Sequence, residues 1–265
     1  MVLSSRIARV ALTVALTVLV LVAVLTRRAS ATTERMAPRA PHTRAASHRD
    51  LTRHAAARAS GPTTLRADRG DMLAFGPSAH APAAPVAVVY LHGRRGLAAK
   101  GCPWLRDGAT DLGWLVCPTG VETDEHGLSS WGADLFAQRD VIEDAFRAAV
   151  RSGAAADRRV VVGFSQGSHV ANDLVRCGLG RFTGLVLLGA DLHASPERLR
   201  AAGVRRVVLG AGSRDPAFAP AKEEAARLAG LGVDARFVDL GAVGHTYAAA
   251  DEGALAEAIR WAGGA

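Results

Sequence analysis

From about residue 85 to the C-terminus, short apolar runs alternate with stretches of helical periodicity, and this alternation leaves the chain few architectures to adopt. The runs are 86–91 (VAVVYL), 114–117 (WLVC), 160–164 (VVVGF), 185–189 (LVLLG), 204–209 (VRRVVL) and 235–240 (ARFVDL). Most are unbroken β-branched or aliphatic segments, as strands must be when both faces of their sheet are covered. Residues 71–75 add a candidate antiparallel strand at the start. Between the runs, Val141, Ile142, Ala145, Phe146, Ala149 and Val150 form one apolar stripe over 139–151. Further helices are expected at 167–175, 195–202 (Ser195 as N-cap, Pro196 in the first turn), 220–231 and 248–261. The expectation is an α/β chain with a mostly parallel sheet and helices on both faces. Only about 14 residues separate the runs ending at Gly189 and starting at Val204, too few for a cap domain, and no internal repeat is found.

A chain of 265 residues that is 49% apolar can bury a substantial core. Its formal charge of +7 is unevenly placed. Residues 1–70 hold 12 Arg against 3 acids, whereas residues 71–265 hold 20 basic and 22 acidic side chains. The excess belongs to the N-terminal segment, so it gives no reason to expect a nucleic-acid partner for the folded body.

That segment opens with Arg6 and Arg9, runs uncharged through the 17 residues 10–26 and closes with Arg27 and Arg28. Leu and Val cover every side of such a helix, so residues 1–28 read as a signal peptide or an N-terminal transmembrane anchor. Ala29-Ser30-Ala31 has the form of a cleavage site, while the two arginines just before it favour an uncleaved anchor. Residues 29–62 are Ala, Arg, Ser, Thr, Pro and His with scarcely a large apolar side chain, which predicts a disordered basic linker. The third unit is then 63–265, exported and either anchored on the extracytoplasmic side, with membrane association through residues 10–26, or secreted or periplasmic after cleavage. In such a compartment Cys102 and Cys117 could pair, closing a loop worth about 3 kcal/mol; three separate buried thiols, with Cys177, are the alternative. Neither HExxH nor CxxC occurs, and no metal or cofactor is expected.

The chemistry concentrates at Gly163-Phe164-Ser165-Gln166-Gly167, a G-x-S-x-G placed where the run VVVGF stops and a helical pattern begins. A serine in a sharp strand-to-helix turn is a nucleophile elbow, and the glycines leave room where bulky neighbours would collide. A serine hydroxyl needs an imidazole to take its proton, and the imidazole a carboxylate to orient it. His245, in GAVGHTY after the last run, lies far enough downstream. His169 stands one helical turn from Ser165, and His193 leaves too little chain between serine and base. Asp215, in VVLGAGSRDP, is the favoured acid, with Asp191 as runner-up. An oxyanion would need two N–H donors: the backbone amide of Gln166 at the helix start, and that of Arg94 in YLHGRRG, where Gly93 permits close approach. Trp131, in GLSSWG, could line a substrate pocket or pack in the core.

YLHG, GFSQGS, GAGSRDP and GHTY, in this order and spacing from about residue 85 onward, resemble the α/β-hydrolase superfamily and within it the lidless phospholipase/carboxylesterase and dienelactone-hydrolase-like group. The group's usual GFSQGG reads GFSQGS here, with Ser168 in the last place. The resemblance implies an α/β-hydrolase fold, Ser165 as nucleophile, His245 as base and Asp215 as orienting acid, acting on small-molecule or lipid-like esters or thioesters. A peptidase or acyltransferase on the same fold, or a non-catalytic surface-anchored binding protein, are the rival readings.

Overall fold

A computed structural model of the chain describes residues 61–247 and 252–265. The apolar stretch 10–26 and nearly all of the linker 29–62 lie outside the described residues, as does the start of the helix expected at 248–261. Among the described residues no helix is long and apolar enough to cross a membrane.

Among the described residues the strands are β1 (Thr63–Ala67), β2 (Gly70–Phe75), β3 (Val86–Leu91), β4 (Gly113–Cys117), β5 (Glu122–Thr123), β6 (Ser129–Ser130), β7 (Arg159–Phe164), β8 (Gly184–Leu188), β9 (Arg206–Ala211) and β10 (Asp234–Asp239). The helices are α1 (Ala98–Gly101), a 3₁₀ turn (Cys102–Leu105), α2 (Arg106–Thr110), α3 (Leu135–Arg151), α4 (Gln166–Arg176), α5 (Pro196–Ala201), α6 (Phe218–Gly230) and α7 (Glu252–Ala262). Eight strands form one sheet in the order β1-β2-β4-β3-β7-β8-β9-β10, and β5 and β6 form a separate small hairpin. The hairpin β1–β2 joins antiparallel to β4, and the remaining pairings are parallel. The short link from β8 to β9 holds one helix of six residues.

Side chains of period two divide each central strand between two cores. Ala87, Val89 and Leu91 of β3 pack with α3 to α6, whereas Val86, Val88 and Tyr90 pack with the segment 102–112 and with α7. Both faces are therefore apolar, which is why the strand runs are continuous rather than alternating. Polar contacts then fix the elements at the edges. Asp134 caps α3 by accepting from the amides of Phe136 and Ala137. Buried Asp144, on the inner side of α3, accepts from the amides of Asp68 and Arg69 at 3.0 and 2.8 Å and so docks the β1–β2 turn onto the helix. A disulfide joins Cys102 to Cys117, tying the 3₁₀ turn to the end of β4. Cys177 is free and exposed.

Candidate active site

The loops leaving the carboxyl ends of β3, β7, β9 and β10 converge, as expected for the binding edge of a parallel sheet. Ser165 follows β7 directly and opens α4 with φ 52° and ψ −116°. A non-glycine residue in that region costs about 1–3 kcal/mol and persists only where its surroundings over-determine it. Here they do. The Ser165 amide donates to the Leu188 carbonyl at 2.8 Å, and the Ser168 hydroxyl, fully buried, donates to the same carbonyl at 2.9 Å. A Cβ on Gly163 would stand 2.6 Å from the Ser168 nitrogen, and one on Gly167 would stand 2.1 Å from the Leu91 carbonyl oxygen. Both obstacles are backbone, so neither glycine admits a side chain without moving the sheet or the helix.

His245 Nε2 lies 2.9 Å from Ser165 Oγ, and His245 Nδ1 lies 2.8 Å from Asp215 Oδ2. Asp215 is buried, and its other oxygen accepts from the Ala217 amide at 2.9 Å, which fixes the carboxylate plane. With Asp215 accepting at Nδ1, the ring carries its proton there and presents Nε2 as an acceptor to the serine hydroxyl. The imidazole is half-exposed and packs against the Phe164 ring at 4.9 Å between centroids. The structure thus brings together Ser165, His245 and Asp215. Asp191 and His169 are exposed and bond to neither, and His193 stands 3.3 Å from Glu224 Oε2 instead.

The loop after β3 runs against this elbow: a Cβ on Gly93 would lie 3.4 Å from Ser165 Cβ. Among the described residues, the backbone amides of Gln166 and Arg94 donate to no acceptor. The next residue, Arg95, turns the loop with φ 54° and donates its amide to Ser130 Oγ at 3.0 Å.

Of the two readings of Trp131, pocket wall or core packing, the structure shows packing. It is fully buried; its indole N–H donates to the His92 carbonyl at 2.8 Å, and its amide donates to Gln166 Oε1 at 3.2 Å. It braces the loop after β3 to the helix behind the serine, because a buried indole N–H must find an acceptor and the His92 carbonyl supplies one. His92 completes the brace. The Gly120 amide donates to Nε2 at 3.1 Å, which leaves Nδ1–H to donate to the Gly93 carbonyl at 2.8 Å. Burial lowers the His92 pKa below its ordinary 6.5. Neither residue's role was legible beforehand, since the partners lie 28 to 39 positions apart and carry no motif. Tyr247, two residues past His245, is hydrogen-bonded to Tyr90 of β3, and burial raises both phenol pKa values. That contact anchors the histidine loop to the sheet.

A cavity of about 550 Å³ is bounded by Gly93, Arg94, Phe164, Thr246 and Tyr247 among others; Phe164 and Thr246 adjoin Ser165 and His245 in the chain, while those two residues do not themselves line it. Among the described residues no group of three or more His, Cys, Asp or Glu side chains is placed to hold a metal ion.

No family model matches the chain, and no curated protein matches it in sequence. Solved structures do resemble it. A thermostable esterase from Pseudomonas putida is 14% identical with a TM-score of 0.54, over 80% of this chain and 86% of that one. The hyperthermophilic esterase of the archaeon Pyrobaculum calidifontis is 17% identical with a TM-score of 0.54, over 80% and 88%. TT1662 from Thermus thermophilus is 19% identical with a TM-score of 0.52, over 76% and 98%. At such identities the likeness is one of fold: the chain shares with these esterases a mostly parallel sheet with helices on both faces.

Proposed function

We propose that the chain is a serine hydrolase that cleaves carboxylic esters or thioesters through an acyl-enzyme. The observation that carries this reading is the unbroken line Asp215–His245–Ser165, with contacts of 2.8 and 2.9 Å, ending on a serine held in a strained backbone turn. Ser165 Oγ attacks the carbonyl carbon and gives its proton to His245 Nε2. Asp215 stays ionised and stabilises the imidazolium by accepting from Nδ1–H. The carbonyl oxygen becomes an oxyanion, for which the Gln166 and Arg94 amides are the donors, worth about 3–4 kcal/mol each where such a donor has been removed elsewhere. Collapse breaks the bond to the leaving alcohol or thiol, which takes the proton from His245. Water then attacks the acyl-enzyme, His245 again taking a proton and returning it to Ser165. The esterases that share the fold support an ester as substrate.

Hydrolysis of 4-nitrophenyl acetate by the purified domain tests this. Ser165→Ala and His245→Ala should each lower kcat by about 10⁶-fold, and by similar amounts, because the groups act as a unit. Asp215→Asn should cost about 10⁴-fold by leaving the imidazole in the wrong tautomer. Full activity in Ser165→Ala would end the proposal.

We further propose that the domain works outside the cytoplasm. The disulfide between Cys102 and Cys117 supports an oxidising compartment, as do the apolar residues 10–26. The mass of the mature protein separates cleavage near residue 31 from a retained anchor.

A further inference from the structure

The cavity bounded by Gly93, Phe164 and Thr246, of which Gly93 lies against Ser165 and the other two adjoin Ser165 and His245 in the chain, differs in charge from the rest of the domain. Residues 71–265 carry slightly more acid than base, yet Arg94, Arg95 and Lys100 all line this cavity and no Asp or Glu does. One of the three cations is already neutralised: Arg95 Nη2 stands 3.1 Å from Asp124 Oδ2. Among the described residues no carboxylate lies within 4 Å of Arg94 or Lys100. The remaining walls are largely apolar, with Leu97, Trp104, Leu128 and Phe164. Tyr90 and Tyr247 also line it, but their hydroxyls are bonded to one another and offer little to a ligand.

Such a cavity suits a ligand of two parts. A hydrocarbon body gains by covering the apolar walls, and 550 Å³ is ample for one. Two cations at an exposed mouth with low-dielectric walls attract an anion and repel a second cation. Position ties this to the reaction. Arg94 carries the amide proposed to receive the oxyanion, so its side chain begins next to the reacting carbonyl, and Lys100 lies in α1 a few residues further along the same wall.

We propose that the site selects esters whose pocket-bound substituent ends in an anionic group, with the Arg94 and Lys100 side chains as the selecting residues. This rests on the ester-hydrolase reading above. The test is kcat/KM for the mono-4-nitrophenyl ester of glutaric acid against 4-nitrophenyl pentanoate, which has the same chain length with a methyl in place of the carboxylate. The ratio should favour the anionic ester by about tenfold at low salt, as two partly exposed charge contacts of ordinary strength allow, and fall toward one at about 0.5 M NaCl. Arg94→Gln and Lys100→Gln should each cut the ratio about threefold, and Lys100→Glu should bring it to one or below. Because both substrates are read on the same protein sample, partial misfolding of a variant cancels. A wild-type ratio at or below one, or a ratio indifferent to Lys100→Glu, overturns the inference while leaving the hydrolase reading intact. Turnover of neither ester overturns both.

Discussion

Ser165 is held in a backbone conformation that serine adopts only under constraint, and each constraint traces to a named neighbour: Gly163 and Gly167 by what they lack, Leu188 by its carbonyl. His92 is the least expected contributor. It is bonded to neither Ser165 nor His245, yet its Nδ1 is committed to the Gly93 carbonyl beside Arg94 and its Nε2 to the Gly120 amide in the loop after β4, so the ring ties the two loops together. This arrangement requires a neutral ring, since a proton on Nε2 would displace the Gly120 amide. Burial lowers the His92 pKa in the fold, so above about pH 6.5 folded and unfolded chains are alike in carrying no proton there and its contribution is complete. As pH falls below 6.5 the unfolded chain gains the proton first, and stability is lost progressively until the folded pKa is reached. Urea unfolding of the domain at pH 7.5 and 5.5 should show a fall in midpoint that is smaller in His92→Gln. An equal fall in both proteins would remove His92 from the account.

At the scale of elements, α4 is joined to β8 by one side-chain bond, from the buried Ser168 hydroxyl to the Leu188 carbonyl. Ser168→Ala removes that bond while the Ser165 amide still satisfies the carbonyl, so we expect a loss of about 1 kcal/mol in denaturant unfolding; no loss would show the bond to be idle. Continuous apolar strands were legible because burial on both faces demands a simple composition, and β3, β4, β7 and β8 lie within one residue of the expected bounds. The run VRRVVL read as a strand from Val204, but β9 starts at Arg206, because Val204 still belongs to the turn after α5, its amide bonded to the Leu199 carbonyl. Helix α3 starts at Leu135, four residues before its apolar stripe, where the Asp134 cap sets the boundary. The segment 98–110 folds as three short helical pieces that periodicity did not reveal, since Gly101, Pro103 and Gly108 interrupt any stripe. The serine, acid and histidine were legible as a set through motif and chain order. The brace through His92, Gly120, Trp131 and Gln166 was not, because it depends on which loops meet and not on any local pattern.

Across the whole molecule, charge and chemistry are partitioned. The basic excess lies before residue 71, Arg94, Arg95 and Lys100 line one cavity, and a disulfide fixes the segment that forms part of that cavity's wall. Everything proposed about substrate depends on Ser165 being chemically activated by the groups lined up behind it. A fluorophosphonate reports this directly, because it reacts with an activated serine and not with an ordinary hydroxyl. Intact mass followed by peptide mapping should find a single adduct on Ser165 in the wild type and none in Ser165→Ala or His245→Ala. Labelling of the Ser165→Ala protein to the same extent as the wild type would contradict the account.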